Sequence, residues 1–409
     1  MKILHISTYS NSGGAAIAAK RHCEAMRQAG IDSKMLCLYG PPNDYSVIDS
    51  RTNEAFKKQQ RFAKLKHYWN RLFVKKIAWH WLTPEYDVAN LDIVQKADII
   101  YLHWVNEYLG VKSIKNILEL GKPVVWYMHD MWPITGGCHS SFDCDGYSKD
   151  CKNCPQLKLC KFKAADVLKM KIEYLQGYPN LYAAAPSKWL CGLISKSTLF
   201  KNQGVFHVPN VIDTDIFLPD DKRIIRKKLG LPLEKKLIIF SATGTNNPYK
   251  GVKYLVEVVN RLSMEDNGID FIVVGNSNPA IFSEAAQSRL HITGFINNQA
   301  KMIDYYKCSD ILITTSLADN FPNVVIEAMA CGVPAVGFQT GGIVDQIHHM
   351  ENGWIVPQKD VDGLIEGINW ILNEADYSAL RLNARKYVED NCSYHNVVKN
   401  HSQILNLAK

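Results

Sequence analysis

The chain has 409 residues, 47% of them hydrophobic and 21% charged, with a formal net charge of +7. This composition excludes a disordered, fibrous or collagen-like chain, and the length exceeds what one core usually supports, so two domains of about 200 residues each are expected. No run approaches ~20 uninterrupted apolar residues, so no membrane-spanning helix is expected; the opening MKILHISTYS lacks the apolar length and cleavage site of an export signal, and a cytoplasmic location is expected.

Lys2–Ser7 reads as a first strand, followed by the glycine turn Asn11-Ser-Gly13-Gly14 and a helix from about Ala15 to Ala29. After a second strand at Lys34–Leu38 comes a basic, aromatic stretch. Between Arg51 and Trp81 nine Lys/Arg residues accompany one acid, Glu54, interleaved with Phe56, Phe62, Tyr68, Trp69, Phe73, Trp79 and Trp81. That mixture suits a helix lying on an anionic membrane surface, and equally a solvated helix whose aromatics pack on its own domain. No nucleic-acid recognition module is present to give it another use.

Strand-like runs continue at Ala97–His103, Pro123–His129 and Leu181–Ala185, then in a second series at Lys236–Ser241, Phe271–Gly275, His291–Thr293, Ile311–Thr314 and Pro334–Gly337. The segments between them are long enough for helical crossovers, which predicts α/β architecture with parallel sheets. The turn-rich stretch His207–Phe217 separates the two series. The predicted division is therefore 1–206, 207–376 and a helical segment 377–409 that packs back on the first domain. Asp213-Thr-Asp215 has the Asp-x-Asp spacing of some metal sites, but its neighbours Pro209, Asn210 and Pro219 make turn capping the expected role.

Five of the eleven cysteines fall within 138–160, and Cys138, Cys144, Cys151 and Cys154 end in a C-x2-C pair. Such a pair lets two thiolates reach one tetrahedral ion, so a structural zinc is expected, with an iron–sulfur cluster or free thiols as alternatives and Cys160 and His139 as alternative ligands. Four protein ligands would leave such an ion no open position for catalysis.

The most informative segment is Asp319-Asn320-Phe321-Pro322-Asn323-Val324-Val-Ile-Glu327-Ala-Met-Ala-Cys-Gly332-Val-Pro334, in which two acids flank a loop and the start of a helix. Two carboxylates there can accept hydrogen bonds from sugar hydroxyls, and a helix N-terminus favours phosphate. The segment resembles the signature of retaining nucleotide-sugar glycosyltransferases of the GT-B fold (glycosyltransferase family 4, group 1 type). Lys250-Gly251, Val274-Gly275, Gly294-Phe295 and Thr340-Gly-Gly-Ile343 extend the resemblance over the second domain. In the first domain, Gly13-Gly14 and His129-Asp-Met-Trp-Pro-Ile-Thr-Gly-Gly-Cys138-His139 resemble the colanic-acid or capsule branch.

The resemblance implies two Rossmann-like domains with parallel sheets facing across a cleft, the second binding a nucleotide-diphosphate sugar. It implies that Glu327 binds the ribose hydroxyls, that Asp319 contacts the transferred sugar, and that Asn320 to Val324 present backbone N–H groups to sugar and diphosphate. Lys250 would neutralise the diphosphate, and His129 would position sugar and acceptor. Gly13, Gly14, Gly275, Phe295 and Ile296 would line the donor site. The family more often has Glu where Asp319 stands, and Gly244-Thr-Asn-Asn247 replaces a segment that in many relatives carries an arginine. The implied acceptor is a polysaccharide or lipid-linked oligosaccharide, with no metal needed for catalysis. A nucleotide-sugar epimerase of the same fold and a non-catalytic nucleotide-sugar scaffold are the competing readings.

Overall fold

In the computed structural model the apolar runs of the N-terminal half become parallel strands. The structure describes residues 1–41, 44, 46–50, 79–80, 86–241 and 248–408. Apart from Trp79 and His80, the basic aromatic stretch lies outside the described residues, as does Gly244–Asn247. Chain contacts divide the molecule into Met1–Val211 with Tyr394–Lys409, and Ile212–Ser393.

The first unit holds a seven-stranded sheet in the order β3-β2-β1-β4-β5-β6-β7. Its strands are β1 (Lys2–Tyr9), β2 (Asp32–Tyr39), β3 (Val47–Asp49), β4 (Ile99–Leu102), β5 (Val124–Tyr127), β6 (Leu181–Ala185) and β7 (Val205–His207), paired in parallel throughout. Successive side chains of a strand point to opposite faces. Leu4, Ile6, Ile100, Leu102, Val124 and Trp126 accordingly enter one core, and Ile3, Ile99, Tyr101, Val125 and Tyr127 the other. A parallel sheet buried on both faces needs such continuous apolar runs, which is why the sequence shows no polar alternation. The helix Gly14–Gln28 starts one residue after Gly13, whose φ of 85° is a conformation that glycine adopts at no steric cost.

The second unit repeats the plan with six parallel strands in the order β10-β9-β8-β11-β12-β13. These are β8 (Lys236–Ser241), β9 (Ile269–Val274), β10 (Leu290–Ile292), β11 (Ile311–Thr314), β12 (Ala335–Phe338) and β13 (Gly353–Val356). Leu237, Ile239 and Leu312 face one core, while Ile238, Phe240, Ile311 and Ile313 face the other.

The division differs from the expected one at two places. Val205–His207 is the last strand of the first sheet, so that unit runs on to Val211. The helix Tyr377–Cys392 stays with the second unit because the Arg385 guanidinium donates to the carbonyls of Phe217, Ala330 (2.8 Å) and Thr214 (2.9 Å), tying it to the connection and to the end of another helix. Only from Tyr394 does the chain return to the first unit, where Val397, Ile404 and Leu405 are buried beside Ile3 and Met26. Asp213 caps a turn: its carboxylate accepts from the Asp215 amide at 3.0 Å.

Candidate functional site

In the second unit the strand order runs outward in both directions from the β8/β11 pair, which makes that pair the switch point where open parallel sheets bind ligands at their carboxyl ends. Lys250 follows β8 and Asp319 follows β11, and they meet there: Lys250 Nζ stands 2.7 Å from Asp319 Oδ2. The loops that bring them together are fastened by backbone. The Leu317 amide donates to the Tyr249 carbonyl at 2.7 Å, and Thr315 Oγ1 donates to the Lys250 carbonyl at 3.1 Å. Gly251, at φ 59°, passes so close to the Thr315 carbonyl that a Cβ would sit 2.1 Å from its oxygen.

A second glycine serves the Thr340–Ile343 turn. Gly341, at φ 54°, would place a Cβ 1.9 Å from the Asp319 carbonyl oxygen, and the Gly342 amide donates to that oxygen at 3.2 Å. The glycine pair thus packs on the backbone of the very acid that the sequence singles out. Past Asp319, Asn320 and Phe321 are buried, and Pro322 opens the helix Asn323–Ala330, with Asn323 and Val324 in its part-exposed first turn. One turn further, Glu327 Oε2 accepts a 2.8 Å hydrogen bond from the hydroxyl of Tyr306, on the helix Gln299–Cys308. Gly275 (φ 106°) follows β9 and bridges to Gly294, its amide donating to the Gly294 carbonyl at 3.1 Å. Phe295 beyond it is 71% exposed, and Ile296 packs on the core.

In the first unit His129 follows β5 and is not solitary. His103 Nδ1 lies 3.0 Å from His129 Nε2, and His103 Nε2 lies 2.8 Å from His5 Nδ1. A second chain joins the Tyr101 hydroxyl to His401 Nδ1 (2.8 Å) and His401 Nε2 to His22 Nδ1 (3.1 Å). Burial disfavours the imidazolium and pulls His5 and His401 down to about 3 and His129 to about 4; it also lowers His22 and His103 well below the ordinary histidine range. His129 is thus a neutral imidazole held by neutral imidazoles, suited to hydrogen bonding and unsuited to storing a proton. His103, His5 and Tyr306 were not singled out from sequence. The available signal was that Ala97–His103 and Pro123–His129 both end in histidine.

Cys138, Cys144, Cys151 and Cys154 line one cavity of about 240 Å³, together with Trp79, Gly136 and Tyr147. Cys138 and Cys154 are buried, and the cysteines are free thiols. Burial raises Cys138 to about 12 and Cys151 to about 11. Among the described residues no group of three or more His, Cys, Asp or Glu stands where it could hold a metal ion. Beside the cavity wall the buried Lys171 donates to the carbonyls of Trp132 and Thr135 (2.9 Å) and lies 3.8 Å over the Trp132 ring.

Two helix-covered parallel sheets carried by successive halves of one chain define the GT-B class. The chain resembles HepE of Anabaena solved with UDP (TM-score 0.65, 14% identity, 99% of this chain and 100% of that one) and sucrose-phosphate synthase of Thermosynechococcus elongatus (0.64, 16%, 99% and 98%). The sequence profile described as "Glycosyl transferases group 1" matches residues 221–390, which identifies that segment as a group 1 glycosyltransferase domain. It is 24% identical to an uncharacterised glycosyltransferase of Methanocaldococcus jannaschii over 329 residues (77% of this chain, 76% of the relative). It is 22% identical to the putative colanic acid biosynthesis glycosyl transferase WcaC of Escherichia coli over 389 residues, 90% of each.

Proposed function

We propose that this glycosyltransferase moves a sugar from a nucleotide-diphosphate sugar to a polysaccharide or lipid-linked oligosaccharide, with retention of anomeric configuration and without a catalytic metal. The observation that carries this reading is the Lys250–Asp319 pair at the β8/β11 switch point, with the Tyr306-held Glu327 one turn into the helix Asn323–Ala330 that follows. A diphosphate carries more charge than one carboxylate and would draw the Lys250 ammonium to itself. That leaves Asp319 to accept from hydroxyls of the transferred sugar and Glu327 to accept from the ribose. As the sugar–phosphate bond breaks, negative charge grows on the departing diphosphate. Lys250 and the amides from Asn320 to Val324 are the groups to stabilise it. The leaving phosphate takes the proton of the incoming hydroxyl on the same face, so no side chain is assigned as a general base, and His129 positions the sugar.

Support for the saccharide acceptor comes from the resemblance to the colanic-acid relative over 90% of the chain. Proton NMR of the first-formed product tests retention: the new linkage is expected to keep the donor's anomeric configuration, and inversion would refute the mechanism. For the four cysteines we propose a structural zinc, which requires their side chains to turn into the cavity they already line. Elemental analysis of purified protein is expected to give one zinc per chain, and a metal-free protein of undiminished stability would end this reading.

A further inference from the structure

Three neighbouring strands of the first sheet each supply a histidine: His5 lies within β1, His103 directly after β4 and His129 two residues after β5. The His103 amide donates to the Ile6 carbonyl at 2.8 Å, which ties the end of β4 to β1. The rings stack in a row, His5 on His103 at 5.1 Å and His103 on His129 at 5.2 Å. Tyr101 stacks on His5 at 5.0 Å and Tyr127 lies 5.3 Å from His103, so the row is wedged between aromatic neighbours. His5 and His103 are buried and His129 is part-exposed, so of the three His129 alone is within reach of a ligand.

The proton positions along this row follow from its buried end. His5 Nδ1 to His103 Nε2 is 2.8 Å and His103 Nδ1 to His129 Nε2 is 3.0 Å, both hydrogen-bond lengths. A neutral imidazole has one N–H and one lone pair, so the two bonds run in the same direction along the row. If they ran inward, from His129 to His5, the proton of His5 would sit on Nε2. That atom is buried and has no hydrogen-bond partner among the described residues, so its N–H would be orphaned. If they run outward, His5 Nδ1–H donates to His103 Nε2, His103 Nδ1–H donates to His129 Nε2, and His5 Nε2 keeps only a lone pair. A buried N–H without an acceptor is the rarer defect, which selects the outward direction. The lone pair of His129 at Nε2 is then filled by His103, and its own proton stands on Nδ1.

We infer that His5 and His103 are positioning residues that fix the proton of His129 on Nδ1, so that His129 meets its ligand as a neutral hydrogen-bond donor to an oxygen and not as a base. A neutral imidazole held in this way can polarise an oxygen without bringing a buried cation. The ligand atom it suits is an acceptor oxygen, and a hydroxyl there receives the Nδ1–H rather than giving up its own proton to the ring. Under the proposed function that oxygen belongs to the nucleotide sugar, and the inference rests on that reading for the identity of the ligand.

The test is two-bond proton–nitrogen NMR of the full chain labelled with ¹⁵N-histidine at pH 8, which distinguishes the two neutral tautomers; the spectrum of His129→Ala assigns the His129 signals. Free neutral imidazole side chains in water favour Nε2–H, so the expected Nδ1–H form of His129 is the less common one. A wild-type His129 protonated on Nε2 overturns the inference. His103→Leu removes the donor to His129 Nε2 and is expected to return His129 to the Nε2–H form. It is also expected to weaken binding of the nucleotide sugar about tenfold relative to the bare nucleotide, read by calorimetry with UDP-glucose, GDP-mannose and ADP-glucose against UDP, GDP and ADP. A folded variant whose His129 tautomer is unchanged overturns the positioning by His103, and a changed tautomer with unchanged relative affinity overturns the donor assignment. If the variant does not fold, the wild-type tautomer decides. A wild-type chain that binds none of the nucleotide sugars removes the proposed function and leaves the tautomer of His129 to decide the histidine row by itself.

Discussion

Tyr306 and Glu327 are twenty-one positions apart, and the 2.8 Å bond between them decides how Glu327 is presented. Its Oε2 is turned toward the helix Gln299–Cys308, which fixes the plane of the carboxylate. Hydrogen bonds to a charged group contribute about 1.5–3 kcal/mol. Tyr306→Phe keeps the buried ring and removes only the donor, so it is expected to weaken nucleotide-sugar binding by about one order of magnitude while the melting temperature shifts little. Isothermal titration of the variant checks this, and an unchanged affinity would show that Glu327 is placed by other contacts. At this scale Asp319, Glu327 and Gly341 were legible in the sequence because they sit in or beside one contiguous signature. Tyr306 and His5 were not, because each reaches its partner across the fold from a segment with no motif around it, and His103 was marked only by ending a strand.

Among elements, most strands were read from their apolar runs, the three-residue β10 included, while β3, β7 and the four-residue β13 were not singled out. β3 and β7 have three residues each, and the linker was begun at His207, the last residue of β7, because it adjoins a Pro-Asn turn. The helix Tyr377–Cys392 shows the opposite failure: its periodicity was visible, but its docking partner depends on Arg385 reaching three carbonyls in distant segments. The buried histidines carry a consequence for the elements they join. His5 on β1 and His401 at the start of the short helix Ser402–Leu405 are fully buried and stay neutral, with folded values near 3 against an ordinary 6.5. A depressed folded value means that the unfolded chain takes up the proton first. Their contribution is therefore intact above about pH 6.5 and is lost progressively as pH falls toward 3. Each is expected to cost about 2 kcal/mol at pH 5 relative to pH 8, so urea unfolding should show a steep loss of stability between those values. A flat stability from pH 8 to pH 5 would mean that these rings are hydrated or charged in the folded chain.

For the whole molecule, both units are parallel sheets with a switch point, and in the second Lys250 and Asp319 meet there. The two-domain plan was legible because alternating apolar runs and crossover-length segments occur twice. The first unit's histidine chain was legible only at His129, since His103 and His5 come from the ends and interior of other strands. The central claim is that a nucleotide sugar binds at Lys250, Asp319 and Glu327. It is tested most directly by thermal shift with a panel of UDP-, GDP- and ADP-sugars on the wild type and on Glu327→Ala. One nucleotide class is expected to stabilise the wild type and to leave the variant unshifted; a donor that stabilises both equally would contradict the assignment of this site.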